Sequence, residues 1–222
     1  MTRVVVKCGG AVAGGAAPPI LELAEADHEV CVVHGAGPQI SETMKRRGIP
    51  VEFVGGRRVT SPAALAVVRA SLAAVNDSLC SDLGPRALAL YGDEIGLEAV
   101  PVRALGLVGK PLPCRPQAVE RALAHGRIPV VAPLAAGPLN VNADEAAAAL
   151  AVGLGADRLL FVTDVPGLVL AGTVVPRIGV DEADRLLEGG VVEGGMLPKL
   201  EAAVTAARLG VRAEIGGTAV LV

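Results

Sequence analysis

Short β-branched runs alternate with longer stretches rich in alanine and leucine along the whole chain. Parallel strands need a crossover long enough to hold a helix, so this rhythm points to βαβ units around a mostly parallel sheet. Strands are expected at residues 3–7, 30–33, 87–90, 128–132, 159–163 and 219–222. Helices are expected at 20–26, 39–47, 62–83, 116–125, 144–154, 181–187 and 196–209, where the apolar spacing is helical. Ser61 ahead of Pro62 reads as an N-cap with proline in the first turn. At 222 residues the chain fits a single domain, at most divided into two lobes.

Composition narrows the function classes. Hydrophobic residues make up 52% and aromatics 1%, so Ala, Val, Leu and Ile must fill the core and stacking on bases is not expected. The net charge of −3 comes from 20 basic and 23 acidic side chains scattered without a basic stripe, which argues against nucleic acid as a partner. Cys8, Cys31, Cys80 and Cys114 lie far apart, with no CxxC pair and no histidine at metal-ligand spacing. They read as buried thiols in a reducing compartment, and no protein-held metal is expected. The first apolar run stops at Lys7, too short for a signal peptide or a membrane span. A cytoplasmic chain with no membrane partner is expected, its mean hydropathy of +0.54 reflecting a rich core and a subunit interface.

Several polar clusters sit at strand ends or helix starts. Lys7 closes the first strand and is followed by Cys8-Gly9-Gly10, so a cation meets bare backbone amides, a combination suited to anions. A solvated lysine before a glycine turn is an equal reading of that segment alone. The second strand ends in His34-Gly35-Ala36-Gly37-Pro38, which puts another glycine-rich turn at the carboxyl edge of the sheet, where ligands bind in such folds. Ile40 stands where a dinucleotide fingerprint needs glycine, so a Rossmann cofactor site is disfavoured. His34 reads as a structural histidine packed under the turn rather than as a ligand or base.

Arg57-Arg58 follows Gly55-Gly56, and a guanidinium on a tight turn matches a carboxylate, although a solvated arginine pair is the simpler reading. Asn140, Asn142 and Asp144 crowd the start of one helix, and capping explains only one of the three. Lys199 stands in the first turn of another helix, against the dipole. The chain has four lysines and sixteen arginines, so a lysine retained at such a turn suggests that a compact ammonium is required.

The segments VVVKCGG, VVHGAGPQI, GRRVTSP, LGLVGK, IPVVAP, LNVNADEAA, LLFVTDVPGL and GGMLPKLEAA, in this order, resemble the amino-acid kinase family over nearly the whole chain. The resemblance implies an α/β fold, a three-layer αβα sandwich with a mostly parallel central sheet. It implies a single domain over residues 1–222. A lobe of about residues 1–135 would bind the acceptor and dimerise, and a lobe of about 136–222 would bind ATP.

The activity it implies is ATP-dependent phosphorylation of the side-chain carboxylate of N-acetyl-L-glutamate, in arginine biosynthesis. A kinase for another acidic amino acid, such as carrier-bound α-aminoadipate, and a non-catalytic amino-acid-binding relative are the alternatives. In the first, Arg57 would contact the acidic carrier.

Carried onto this chain, the resemblance makes Lys7 and Lys199 the cations that stabilise the transferred phosphoryl group, with Asp144 orienting both. Gly9 and Gly10 would donate backbone N–H groups to ATP, Ala36 and Gly37 would line the acceptor, and Arg58 and Asn140 would hold its carboxylate. Thr163, Asp164, Val165, Pro166, Gly167, Leu168 and Val169, with Val191, Val192, Glu193 and Met196, would cradle ATP, which brings Mg²⁺ with it.

The chain also departs from the family pattern. Ala36 replaces a glycine, the stretch between Asn76 and Leu107 matches the family's glycine-rich substrate hairpin poorly, and the tail from Ile215 is abbreviated. Members inhibited by arginine resemble one another in an extra helix before the first strand. Here only Met1 and Thr2 precede it, so a homodimer insensitive to arginine is expected.

Overall fold

The computed structural model describes residues 2–10 and 15–222; Met1, which enters the expectation about the N-terminus, lies outside them. Eight strands form the central sheet: β1 (Arg3–Cys8), β2 (Glu29–His34), β3 (Ala87–Tyr91), β4 (Ile128–Ala132), β5 (Arg158–Val162), β6 (Arg177–Gly179), β7 (Arg212–Ile215) and β8 (Thr218–Leu221). Their order is β6-β8-β7-β5-β1-β2-β4-β3, and every neighbouring pair is parallel except the β7–β8 hairpin. Val4, Val5 and Val6 of β1 are all fully buried, as a strand covered on both faces requires.

The helices are α1 (Ala17–Glu25), α2 (Gly37–Arg46), α3 (Pro62–Leu83), α4 (Gln117–Ala124), α5 (Ala143–Gly153), α6 (Val180–Glu188) and α7 (Met196–Arg208). Alternation along the strands sorts them into two layers. Val5, Cys31, Val33 and Leu159 meet the helices α4 to α7 on one face, while Val4, Val6, Val30 and Val32 meet α1 and the C-terminal half of α3 on the other. Ile40 and Met44 of α2 pack with Val68 and Leu72 of α3 in a further cluster. The result is a three-layer αβα sandwich.

Helix α3 begins where Ser61 Oγ accepts from the Ala64 N–H at 3.2 Å, and it ends at Gly84, whose φ of 74° is left-handed. Residues Pro62–Arg86 are long and apolar enough to cross a membrane. Val68, Leu72, Leu79 and Leu83 are nevertheless buried among α2, α1 and the sheet, which is the packing of a core helix.

A second sheet, absent from the sequence reading, is built from Ala99–Pro101, Val108–Pro111, Leu134–Ala135 and Leu139–Val141. Its strands span two to four residues, too few to display a period. It sets Asn140 beside Val108 in register. The strands at Arg177–Gly179 and Arg212–Ile215 escaped the same reading. A glycine-rich hairpin forms ahead of the Asn76–Leu107 stretch. It pairs Phe53–Val54 with Arg57–Arg58, around Gly55 (φ 53°) and Gly56 (φ 72°), the left-handed pair that a tight hairpin demands.

The alanines of α5 have a packing role. Ala146, Ala147 and Ala151 are fully buried, and a Cβ on Gly153 would lie 2.0 Å from the Cys114 carbonyl oxygen. Backbone cannot yield as a side chain can. Gly153→Ala is expected to cost about 1–3 kcal/mol, a fall of roughly 3–10 °C in Tm for a chain of this length. Thermal unfolding of the variant checks this, and an unchanged Tm would disprove the close approach.

Candidate active site

β1 and β2 run side by side in register to Cys8 and His34, so the two glycine-rich turns that follow emerge together. The Gly35 N–H donates to the Cys8 carbonyl at 2.9 Å, and Gln39 Nε2 donates to the Gly10 carbonyl at 2.9 Å. A Cβ on Gly10 would stand 2.9 Å from Ala36 Cα, so glycine is required there by contact alone. Helix α2 starts at Gly37, directing its first amides toward the same space.

Lys7 points into that space from β1 and is 4% exposed. Its Nζ lies 2.8 Å from Asp144 Oδ1, and Asp144 is 5% exposed. Lys199 Nζ reaches the other carboxylate oxygen, Oδ2, at 3.9 Å. The aspartate is placed by a cap: Asn142 Oδ1 accepts from the backbone N–H groups of Asp144 and Glu145 at 2.8 and 3.2 Å. That fixes Asp144 in the first turn of α5, where the helix dipole favours a negative charge.

Lys199 stands in the first turn of α7, where the dipole opposes it, and donates to the Gly195 carbonyl at 3.0 Å. Burial pushes its pKa below the usual 10.5; Lys7 pushes the same way, and Asp144 and Asp164 push back.

Across the space, Arg58 is 6% exposed and donates to Ser41 Oγ at 2.8 Å and to the Gly37 carbonyl at 3.2 Å. Its guanidinium lies 4.5 Å from the Phe53 ring centroid, and burial lowers its pKa. Asn140 Nδ2 donates to Thr60 Oγ1 at 3.0 Å, and Thr60 Oγ1 donates to the Arg58 carbonyl at 2.7 Å. A short chain of bonds thus fixes the distance between Arg58 and Asn140.

These groups line one cleft of about 450 Å³, together with Gly9, Gly10, Ala36 and Gly37. Thr163 and Asp164 line it as well. The rest of the expected ATP residues, Val165, Pro166, Gly167, Leu168, Val169, Val191, Val192, Glu193 and Met196, surround a separate hollow of about 260 Å³. The site residues therefore fall into a charged cleft and a mostly apolar hollow.

His34 is fully buried, neither ring nitrogen has a hydrogen-bond partner among the described residues, and burial pushes its pKa down to about 4, so it is neutral at pH 7. It does not line the cleft. Arg57, the residue that would contact an acidic carrier in the alternative reading, has its guanidinium bound to Glu145. The sequence reading missed the apolar wall of Ile40, Phe53, Leu72, Val108 and Pro133, and it missed Thr60 as the link behind Arg58. Only Phe53, one of two phenylalanines, carried any signal. Among the described residues, no three His, Cys, Asp or Glu side chains gather into a metal-binding group.

The sequence model of the amino acid kinase family matches residues 2–217. The chain belongs to this family. An acetylglutamate kinase of Rubrobacter xylanophilus is 44% identical to it over 97% of this chain and 88% of that protein. Another from Geobacillus stearothermophilus is 40% identical over 91% and 84% of the two chains. Among solved structures, smu.665 from Streptococcus mutans UA159 superposes with a TM-score of 0.90 at 28% identity, covering 99% of this chain and 98% of that one. The eight-stranded sheet with helices on both faces is thus this family's fold.

Because burial dominates at Lys199, its amine should deprotonate at lower pH than the free side chain. Asp144→Asn removes a group that favours the ammonium, so it should lower that pH further. Amine labelling across a pH series, followed by peptide mapping, reads both values. Equal values in parent and variant would break the link between the two side chains.

Proposed function

We propose that the chain transfers the γ-phosphoryl group of ATP to the side-chain carboxylate of N-acetyl-L-glutamate, the acid-activating step of arginine biosynthesis. The observation that carries this reading is the Lys7–Asp144–Lys199 set, its first two members buried, facing Arg58 across one cleft. The 44% identity to an acetylglutamate kinase names the acceptor.

In this reading Arg58 and Asn140 hold the acceptor's α-carboxylate, and the wall of Ile40, Phe53 and Leu72 takes the acyl group. The side-chain carboxylate is ionised at neutral pH, so it attacks phosphorus without a general base. An O–P bond to the acceptor forms as the bond to the β-phosphate oxygen breaks, and ADP leaves with the electron pair. Lys7 and Lys199 neutralise charge on the moving phosphoryl oxygens, and Asp144 keeps both ammonium groups aimed. Gly9, Gly10 and Gly37 offer backbone N–H groups to the phosphates. Thr163 and Asp164 border the phosphates, and the apolar hollow around Leu168 and Met196 takes the rest of the nucleotide. Mg²⁺, held by phosphate oxygens and water, adds charge neutralisation when the nucleotide binds.

The division of labour runs broadly along the chain: the part to about residue 135 grips the acceptor with help from Asn140, and the part from about 136 carries ATP, whose phosphates also meet Lys7, Gly9, Gly10 and Gly37. The protein works as a cytoplasmic homodimer. Its four cysteines are free, with Cys8 and Cys31 pushed by burial to about 12, which suits a reducing compartment. A mean hydropathy of +0.54 favours a subunit interface, which sedimentation reads directly.

Incubation with Mg-ATP, hydroxylamine and a panel of acidic amino acids and N-acyl derivatives should give a hydroxamate with N-acetyl-L-glutamate above all others. A preference for α-aminoadipate on a carrier would replace this acceptor. Lys7→Ala and Lys199→Ala should each lower kcat by about two to three orders of magnitude with secondary structure retained by circular dichroism, although Lys7→Ala, which leaves Asp144 without its nearest partner, should also lower Tm. Near-parent turnover of either would remove its assigned role. Arg58→Ala should raise the acceptor KM roughly ten- to a hundredfold, as loss of a charge-assisted hydrogen bond does, with little change in the ATP KM.

A further inference from the structure

Arg57 and Arg58 are consecutive strand residues, so their side chains leave opposite faces of the hairpin. Arg58 turns into the cleft. Arg57 turns to α5, where Nε donates to Glu145 Oε2 at 3.1 Å and Nη2 binds Oε1 of the same carboxylate. The pair is mostly shielded, with side-chain exposures of 22% and 17%. A second bond runs beside it: Asn142 Nδ2 donates to the Gly56 carbonyl at 3.1 Å. Pro198, next to Lys199, also lies against the turn, since a Cβ on Gly56 would meet its Cβ at 3.3 Å. The hairpin that carries Arg58 is therefore tied to the first turns of both helices that carry Asp144 and Lys199.

We propose that Arg57 and Glu145 are positioning residues which latch the acceptor hairpin to the first turn of α5 and so couple the grip on the acceptor to the placement of Asp144. The proposal rests on the kinase reading. Each partner is the chain neighbour of a site residue, Arg57 of Arg58 and Glu145 of Asp144. A shift of the hairpin is thereby passed to the aspartate within one residue on either side. Glu145 has a further effect, because Arg57 also borders the catalytic cleft. Without its carboxylate partner, that guanidinium would be an unmatched cation beside the space for an anionic acceptor, competing with Arg58.

The test is a charge-swap cycle: Arg57→Glu, Glu145→Arg and the double variant, each assayed for kcat and for both KM values. Each single change should raise the acceptor KM roughly tenfold and lower kcat, with the ATP KM within about twofold of the parent. The double variant should recover to within about threefold of the parent, and it is the rise in acceptor KM at constant ATP KM in the singles that a merely structural loss would not produce. Singles that match the parent, or a double no better than the worse single, would overturn the latch. A parent with no turnover would sink the kinase reading instead. The latch would then be decided by the same cycle in Tm, where non-additivity supports it and additivity removes it.

Discussion

A lysine and an aspartate with almost no water around them govern the arrangement of the rest. Withdrawing both Lys7 and Asp144 from solvent roughly cancels their attraction, so the pair adds little net stability. Breaking it is another matter, because either partner alone would leave a buried charge uncompensated. The pair therefore acts less as glue than as a position marker, joining the end of the central strand to the start of α5. Asn142 and the helix dipole secure the aspartate, and Lys199 shares it from a third element.

The composition follows from that geometry. Helix α5 has to lie close on β1 and β2 for its first turn to reach Lys7, and its buried face past Glu145 is mostly alanine. A core rich in rings would hold helix and sheet further apart. The near absence of aromatics, odd as bulk composition, is thus consistent with a site built by close approach of backbones. Gly10 against Ala36, and Gly153 against Cys114, repeat the theme at two other contacts.

Much of this was legible in the sequence, for a physical reason. The buried parallel strands are apolar runs, and α3 matches its expected bounds of 62–83, with Ser61-Pro62 as the start signal read from the sequence and Gly84 at its end in the structure. Lys7, Arg58 and Lys199 stood out because cations at glycine turns or against a helix dipole are unusual, and Asp144 because capping explains only one of three polar groups at one helix start; their roles came from the family resemblance. The small second sheet was not, since its two- to four-residue strands owe their existence to register with one another rather than to local pattern. Thr60, Gln39 and Glu145 were equally hidden. Their roles consist of partners 80, 29 and 88 residues away in sequence, which no local reading can supply.

The strand order bears on how such a chain comes to be folded at all. Of the eight strands of the sheet β1 comes first in sequence, yet it lies in the interior, between β2 and a strand that begins at Arg158. During synthesis at about 5–20 residues per second, the first strand waits on the order of ten seconds or more for that neighbour. Until then β1 presents an edge of unpaired backbone N–H and C=O groups along the apolar run Val4–Val6, the kind of surface on which nascent chains associate with one another. Sheets joined by such distant pairings close slowly even when complete. The placement that brings Lys7 to Asp144 from an interior strand thus leaves that strand unpaired on one side for much of the chain's synthesis.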